Sequence, residues 1–298
     1  MSTFSGEVHI TPPYHLVALW SALGISAIII GIVSSYALRK RRDLRLAERT
    51  LMQDLEEELQ MAHHMQMQLM PTEKPLLEGL DFAGRCEPAN HVGGDYYQYF
   101  HYNNRLALTL ADVTGHAMEA AIPVVMFSGI LESQMDHIGS VKDLLKNLNR
   151  ILHRSLNYRT FVCFAMAEID LETRTLHISN GACPYPYHFS AQTGTLNEIE
   201  IDAYPLGIRN DTEYEEIEVQ LAPGDYLIFC SDGIAEACNE QGDQFGYTKA
   251  QDVIRLSCEQ SYSSEETIDF IFTAANNFRG EAPQGDDMTC MVLRIENP

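Results

Sequence analysis

The chain has 298 residues, 45% of them hydrophobic, and a formal net charge of −22. That is enough for one large domain with an appendage, and the acidic balance excludes a surface built to grip nucleic acid, which needs clustered Lys and Arg. The seven cysteines (Cys86, Cys163, Cys183, Cys230, Cys238, Cys258 and Cys290) are odd in number and have no CxxC spacing; they read as small buried hydrophobes in a reducing compartment and exclude a cysteine zinc site.

Residues 1–15 read as a short extracytoplasmic tail, with one Glu and no Lys or Arg, too short for a folded sensor. Residues 16–38 carry no charge. As a helix they rise ~35 Å, enough to cross a bilayer. Trp20 and Tyr36 stand near the two ends, where aromatic anchors belong. Arg39, Lys40, Arg41, Arg42 and Arg45 follow at once. The positive-inside rule therefore puts the C-terminal side in the cytoplasm, as a single-pass protein of the inner membrane. The same basic cluster is suited to anionic membrane lipid. A cleaved signal peptide fits poorly, because its basic residues precede the apolar run.

Residues 39–70 contain no Gly or Pro. Leu44, Leu51, Leu55, Ala62, Met65 and Leu69 recur at steps close to three and four, with Glu48 and Glu58 interrupting the seam. The pattern predicts a short, imperfect parallel coiled coil and hence a homodimer through the linker; a single amphipathic helix packed on the domain is the alternative.

Residues 71–298 read as one folded domain. Arg105–Leu110 is a strand leading to Asp112. Residues 117–135 form an apolar helix, and 141–156 a second one through Val141, Leu144, Leu145, Leu148, Ile151 and Leu152. Phe161–Ile169 and Thr175–Ser179 make a hairpin. Asp225–Cys230 is a buried strand, 264–278 a helix and Met288–Ile295 the last strand. Hairpins with segregated helices predict an α+β sandwich.

Four aspartates lie at strand ends: Asp95 in Val92-Gly93-Gly94-Asp95-Tyr96, Asp112 in Ala111-Asp112-Val113-Thr114-Gly115-His116, Asp232 in Ser231-Asp232-Gly233, and Asp286 in Gly285-Asp286-Asp287-Met288-Thr289. Each alone is an ordinary turn, since Asp and Gly both favour turns. Brought together, they form an oxygen-only cage suited to hard divalent cations. Two such ions activate water and clamp a phosphoryl group. No cysteine is followed six positions later by Arg, so a cysteine phosphate loop is excluded.

The joint pattern resembles the SpoIIE/RsbU-type branch of the PPM family of metal-dependent Ser/Thr protein phosphatases, over residues 66–296. Gln66-Met67-Gln68-Leu69-Met70-Pro71 is similar to the Q-x-x-L-L-P opening of such domains, and Pro205-Leu206-Gly207-Ile208 matches a family turn. Three positions depart from the family pattern: Gln98 in place of an acid, Ala117 of a Gly, and Cys183 of a His. They bear on loop shape and substrate recognition.

The resemblance implies an α/β/β/α sandwich of two antiparallel sheets flanked by helices. It also implies two Mn²⁺ or Mg²⁺ ions, with Asp112 bridging, Asp95 and the Val113 carbonyl on one ion, and Asp232 and Asp286 on the other. Asp287 is the adjacent carboxylate, acting through water or electrostatically. His116 is either the general acid for the leaving oxygen or a loop residue bonded locally. In the family the helix after Asp112 is a switch that shapes the metal site, and linker movement is expected to reposition it. The implied activity is a membrane-anchored phosphatase for phosphoserine or phosphothreonine on a STAS-domain anti-sigma-factor antagonist. The alternative is a degenerate phosphatase serving as a membrane scaffold; retention of every acidic ligand weighs against it. A nucleotide cyclase reading of Gly93-Gly94-Asp95 leaves the other three motifs unexplained.

Overall fold

The computed structural model describes residues 14–71, 74–115, 118–135 and 139–296. The chain divides into two compact units, Met1–Glu58 and Leu59–Pro298. Helix α1 (Tyr14–Met67) supplies the first unit and enters the second. Among the described residues it is the one helix long and apolar enough to cross a membrane. Its large apolar side chains from Leu16 to Leu55 are exposed.

The linker was expected to stay helical to residue 70, but α1 ends at Met67. Pro71 disfavours helical backbone at Met70, and the last turn tightens as Leu69 N donates to Gln66 O (3.0 Å) and Met70 N to Met67 O (3.2 Å). The second unit begins at Leu59, earlier than Pro71. His63 Nδ1 lies 2.6 Å from the His91 carbonyl, and Met70 is part of the main core.

After α1 come β1 (Leu80–Glu87), β2 (Asp95–Tyr102), β3 (Arg105–Val113), α2 (Met118–Met135) and α3 (Val141–Ser155). Then follow β4 (Val162–Asp170), β5 (Thr175–Gly181), β6 (Tyr187–Ser190), β7 (Thr195–Glu198), β8 (Ile217–Gln220) and β9 (Tyr226–Cys230). The chain closes with α4 (Asp232–Ala235), α5 (Tyr247–Glu259), α6 (Ser264–Arg279) and β10 (Met288–Ile295). One sheet has the order β2-β3-β4-β5-β8 and the other β1-β10-β9-β6-β7, with every pairing antiparallel.

The two sheets stack face to face. Leu227 and Phe229 of β9 and Met291 and Leu293 of β10 share a core with Leu108 and Leu110 of the first sheet. The intervening residues Ile228, Cys290 and Val292 pack outward with Ile254, Ile268 and Ile271 of α5 and α6. This alternation is the period-two pattern of strands buried on both faces. On the opposite side, Val124, Phe127 and Leu131 of α2 and Leu144, Leu145 and Leu148 of α3 cover the first sheet. The result is the expected α/β/β/α sandwich.

The β2–β3 hairpin fixes the register that matters most. Its two-residue turn is Asn103-Asn104, with φ of 45° and 61°. Asn tolerates left-handed backbone, and two such residues match the strand twist. From that turn the pairing runs Tyr102 to Arg105 and ends with Asp95 opposite Asp112. A slip of one residue would turn the slipped strand's carboxylate to the wrong face and part it from its partner.

Candidate active site

The four aspartates come from both sheets. Asp95 opens β2 and Asp112 nearly closes β3. Asp232 is the first residue of α4, directly after β9 and Ser231. Asp286 lies in the loop entering β10. Burial is graded: Asp95 is 3% exposed, Asp112 and Asp232 are half-buried, and Asp286 is exposed. The group therefore opens to solvent on the Asp286 side.

Electrostatics ties them together. Burial, and then the charges of Asp232, Asp286 and Asp287, push the Asp112 carboxyl from 3.8 up to about 7. Burial and the Asp112 charge drive Asp95 well above the usual carboxylate range, against a hydrogen bond from Thr289. Burial and Asp286 raise Asp232. Like charges gathered away from water oppose one another's ionisation. Among the described residues no group of three His, Cys, Asp or Glu side chains is drawn tightly enough to hold an ion as it stands. The aspartates are electrostatic neighbours, not a closed cage.

Several contacts hold the frame. Thr289 Oγ1 donates to Asp95 Oδ2 at 2.6 Å. Ser231 N donates to the Thr289 carbonyl (2.8 Å), and Thr289 N returns a bond to Ser231 Oγ (2.9 Å). Val113 N donates to Gly94 O at 3.0 Å. A Cβ on Gly94 would fall 2.5 Å from the Val113 carbonyl and 3.2 Å from Asp112 Oδ1. Only glycine leaves that carbonyl and that carboxylate room. The donor set is all oxygen, which fits Mg²⁺ or Mn²⁺ and not zinc or copper.

Asp287 points elsewhere than Asp286. Its Oδ1 accepts from Ala89 N (2.8 Å), and its Oδ2 accepts from Gly94 N (2.6 Å) and Asp95 N (3.3 Å). It is 6% exposed. Both oxygens thus clasp the backbone of the loop that delivers Asp95. His116, the candidate general acid, lies outside the described residues, as does Ala117. Gln98 donates to the Leu69 carbonyl (3.2 Å), and the Cys183 thiol is buried against the Leu110 carbonyl.

Sequence reasoning missed Gln66, Ser231 and Thr289. Thr289 had a signal: it shares one face of β10 with Met291 and Leu293, so a polar residue faces inward where apolar residues follow.

Two stacked antiparallel sheets, flanked by helices, with aspartates gathered across both, define a PPM-type serine/threonine protein phosphatase. The family model described as "Stage II sporulation protein E (SpoIIE)" matches residues 102–296, and the chain belongs to that family. Phosphoserine phosphatase RsbU of Bacillus subtilis is 26% identical over 247 residues, covering 83% of this chain and 72% of the relative. Among solved structures, the SiaA-PP2C domain of Pseudomonas aeruginosa superposes with a TM-score of 0.73 at 22% identity, covering 82% of this chain and 98% of that one. The RsbU and RsbW domains of a Mycobacterium tuberculosis protein superpose with a TM-score of 0.63 at 22% identity, covering 75% and 62%.

Proposed function

We propose that this chain is a membrane-anchored, Mn²⁺- or Mg²⁺-dependent phosphatase that removes phosphate from serine or threonine of a regulatory protein. The observation that carries it is the mutual perturbation of Asp95, Asp112 and Asp232, with Asp286 beside them, at one end of the sandwich. Asp95, Asp112, Asp232 and Asp286, with the Val113 carbonyl, would hold two divalent cations. When bound, the cations lower the pKa of water and neutralise charge on the phosphoryl oxygens.

The residues divide the remaining work. Asp112, whose charge acts on Asp95 of its own sheet and which is itself raised by Asp232 and Asp286 of the other, would be a ligand shared by the two cations. Thr289 and Ser231 orient Asp95, and Asp287 holds the loop that carries it. His116 is the proton donor for the leaving oxygen. A cleft of about 440 Å³ lined by Cys183, Tyr185, Glu198, Asp202 and Tyr247 offers room for a short phosphorylated segment of the substrate protein. Tyr247 marks its closeness to the site, since burial and the Asp232 charge raise its phenol.

The substrate we favour is a phosphorylated STAS-domain antagonist of an anti-sigma factor. The likeness to RsbU and to a protein joining RsbU and RsbW domains supports it. The long apolar part of α1 is the anchor, the basic run after it meets anionic lipid, and the following helix pairs two copies.

The test is hydrolysis of p-nitrophenyl phosphate by the full chain in detergent, with Mn²⁺, with chelator, and with Asp112→Asn. Activity that requires both the metal and Asp112 is expected. Metal-independent activity, or full activity of Asp112→Asn, would refute the proposal.

A further inference from the structure

We propose that Gln66 is a positioning residue for Asp95, through which the end of α1 sets the affinity of the site for metal. The inference rests on the reading of Asp95 as a ligand. Gln66 sits in the last turn of α1 and is 4% exposed, unusual for an uncharged amide on a linker helix. Both polar atoms of its side chain serve one residue. Nε2 donates to the Gly93 carbonyl at 2.7 Å, and Oε1 accepts from Gly93 N at 2.9 Å. That is the pairing one strand residue makes with another, and it fixes both the position and the tilt of the peptide.

Gly93 stands two residues before Asp95. Its other side lies against Asp287, where an added Cβ would fall 2.0 Å from Oδ2. The Gly93-Gly94 segment is thus gripped from two directions, by α1 through Gln66 and by the β10 loop through Asp287. Further bonds tie the same helix end to the same loop and strand: His63 to the His91 carbonyl, and Gln98 to the Leu69 carbonyl. No Gly or Pro interrupts α1 from Ile32 to Met67. A rotation of its last turns therefore has no soft backbone to absorb it, and it moves Gln66 and the Gly93 peptide together. This also gives the leading Gln of the Gln66–Pro71 stretch a physical role.

The experiment uses the full chain in detergent and Mn²⁺ alone as the probe, with free Mn²⁺ read by electron paramagnetic resonance. Gln66→Met keeps the volume and removes both bonds. Gln66→Glu keeps the acceptor for Gly93 N–H but sets a carboxylate against the Gly93 carbonyl. Gln68→Ala, at an exposed position of the same turn, is the control. Melting in chelator is measured in parallel, so that loss of fold is separated from loss of affinity. Both Gln66 variants are expected to raise the half-saturating Mn²⁺ concentration of the folded protein about tenfold, and Gln68→Ala less than twofold. If Gln66→Met does not fold, the isosteric Gln66→Glu decides alone. Affinity within twofold of wild type in the folded Gln66 variants overturns the inference and leaves the phosphatase reading standing. A wild-type chain that takes up no Mn²⁺, or an Asp112→Asn chain that takes it up equally well, overturns both.

Discussion

Asp112→Asn is expected to abolish hydrolysis and, in chelator, to stabilise the protein. The Asp112 carboxyl rises from 3.8 to about 7 because of burial and then the neighbouring Asp232, Asp286 and Asp287 charges. Each unit corresponds to ~1.4 kcal/mol, so the ceiling on the penalty is about 4 kcal/mol. Neighbouring carboxyls share the relief when one charge goes, which leaves roughly 2–4 kcal/mol. The pH dependence follows from the direction of the shift. Below about pH 4 both folded and unfolded chains hold the proton, and the group contributes nothing. Above that value the unfolded chain gains by ionising while the folded chain resists. Stability is therefore lost as pH climbs from about 4 to about 7, and the whole penalty is present above 7. Asparagine has no such charge. At pH 8 in chelator the variant should melt roughly 5–10 °C above wild type, and the gap should shrink to about a quarter of that at pH 4.5. Saturating Mn²⁺ should reverse the order, because only the wild type binds it well: at about 1,000 times the dissociation constant the ion adds ~4.1 kcal/mol. The assay is calorimetry or thermal circular dichroism at two pH values, with chelator and with metal. A variant no more stable than wild type at pH 8, or a gap indifferent to pH, would refute the reasoning.

Three further outcomes can be checked. Gly94→Ala, whose Cβ would fall 2.5 Å from the Val113 carbonyl, should leave a folded protein with kcat at least about 100-fold down, since an ångström of misplacement costs that much; near-normal kcat at saturating Mn²⁺ would count against the cradle. Asp287→Ala strips the acceptor from three backbone N–H groups, at Ala89, Gly94 and Asp95; urea denaturation should show a loss of about 3–5 kcal/mol. Charged substitutions at Leu55 and Ala62 should disrupt helix pairing and change turnover in proteoliposomes by several-fold; unchanged activity in the membrane would sink the role proposed for the linker.

The fold was legible in part where pattern was long, although the eight-residue strands β1 and β2 were not read. The β3 run, the α3 periodicity from Val141 to Leu152, the Asp170 hairpin and the last strand each stand within a residue or two of where the sequence puts them. The short strands β6, β7 and β8, of four residues each, were not, because four residues hold too little alternation to distinguish from loop. Helix α5 was also missed; Tyr247, Thr248 and Val253 are weak helix formers, and its N-cap is Gly246. The aspartates could be read because each sits in its own local motif. The grip of Gln66 on Gly93 and of Asp287 on Gly94 could not. Those contacts join residues 27 and 193 apart by side chain to backbone, and a backbone amide leaves no trace in composition.

The aspartates are divided between the layers, Asp95 and Asp112 on one sheet and Asp232 and Asp286 at the end of the other. The proposed metal site is thus a seam, and it is assembled only while the two sheets are in register with each other. A shear of one layer past the other, small enough to keep every strand pairing within each sheet, would pull the carboxylates out of step. On the proposed reading, metal binding by the four aspartates would report how the layers dock.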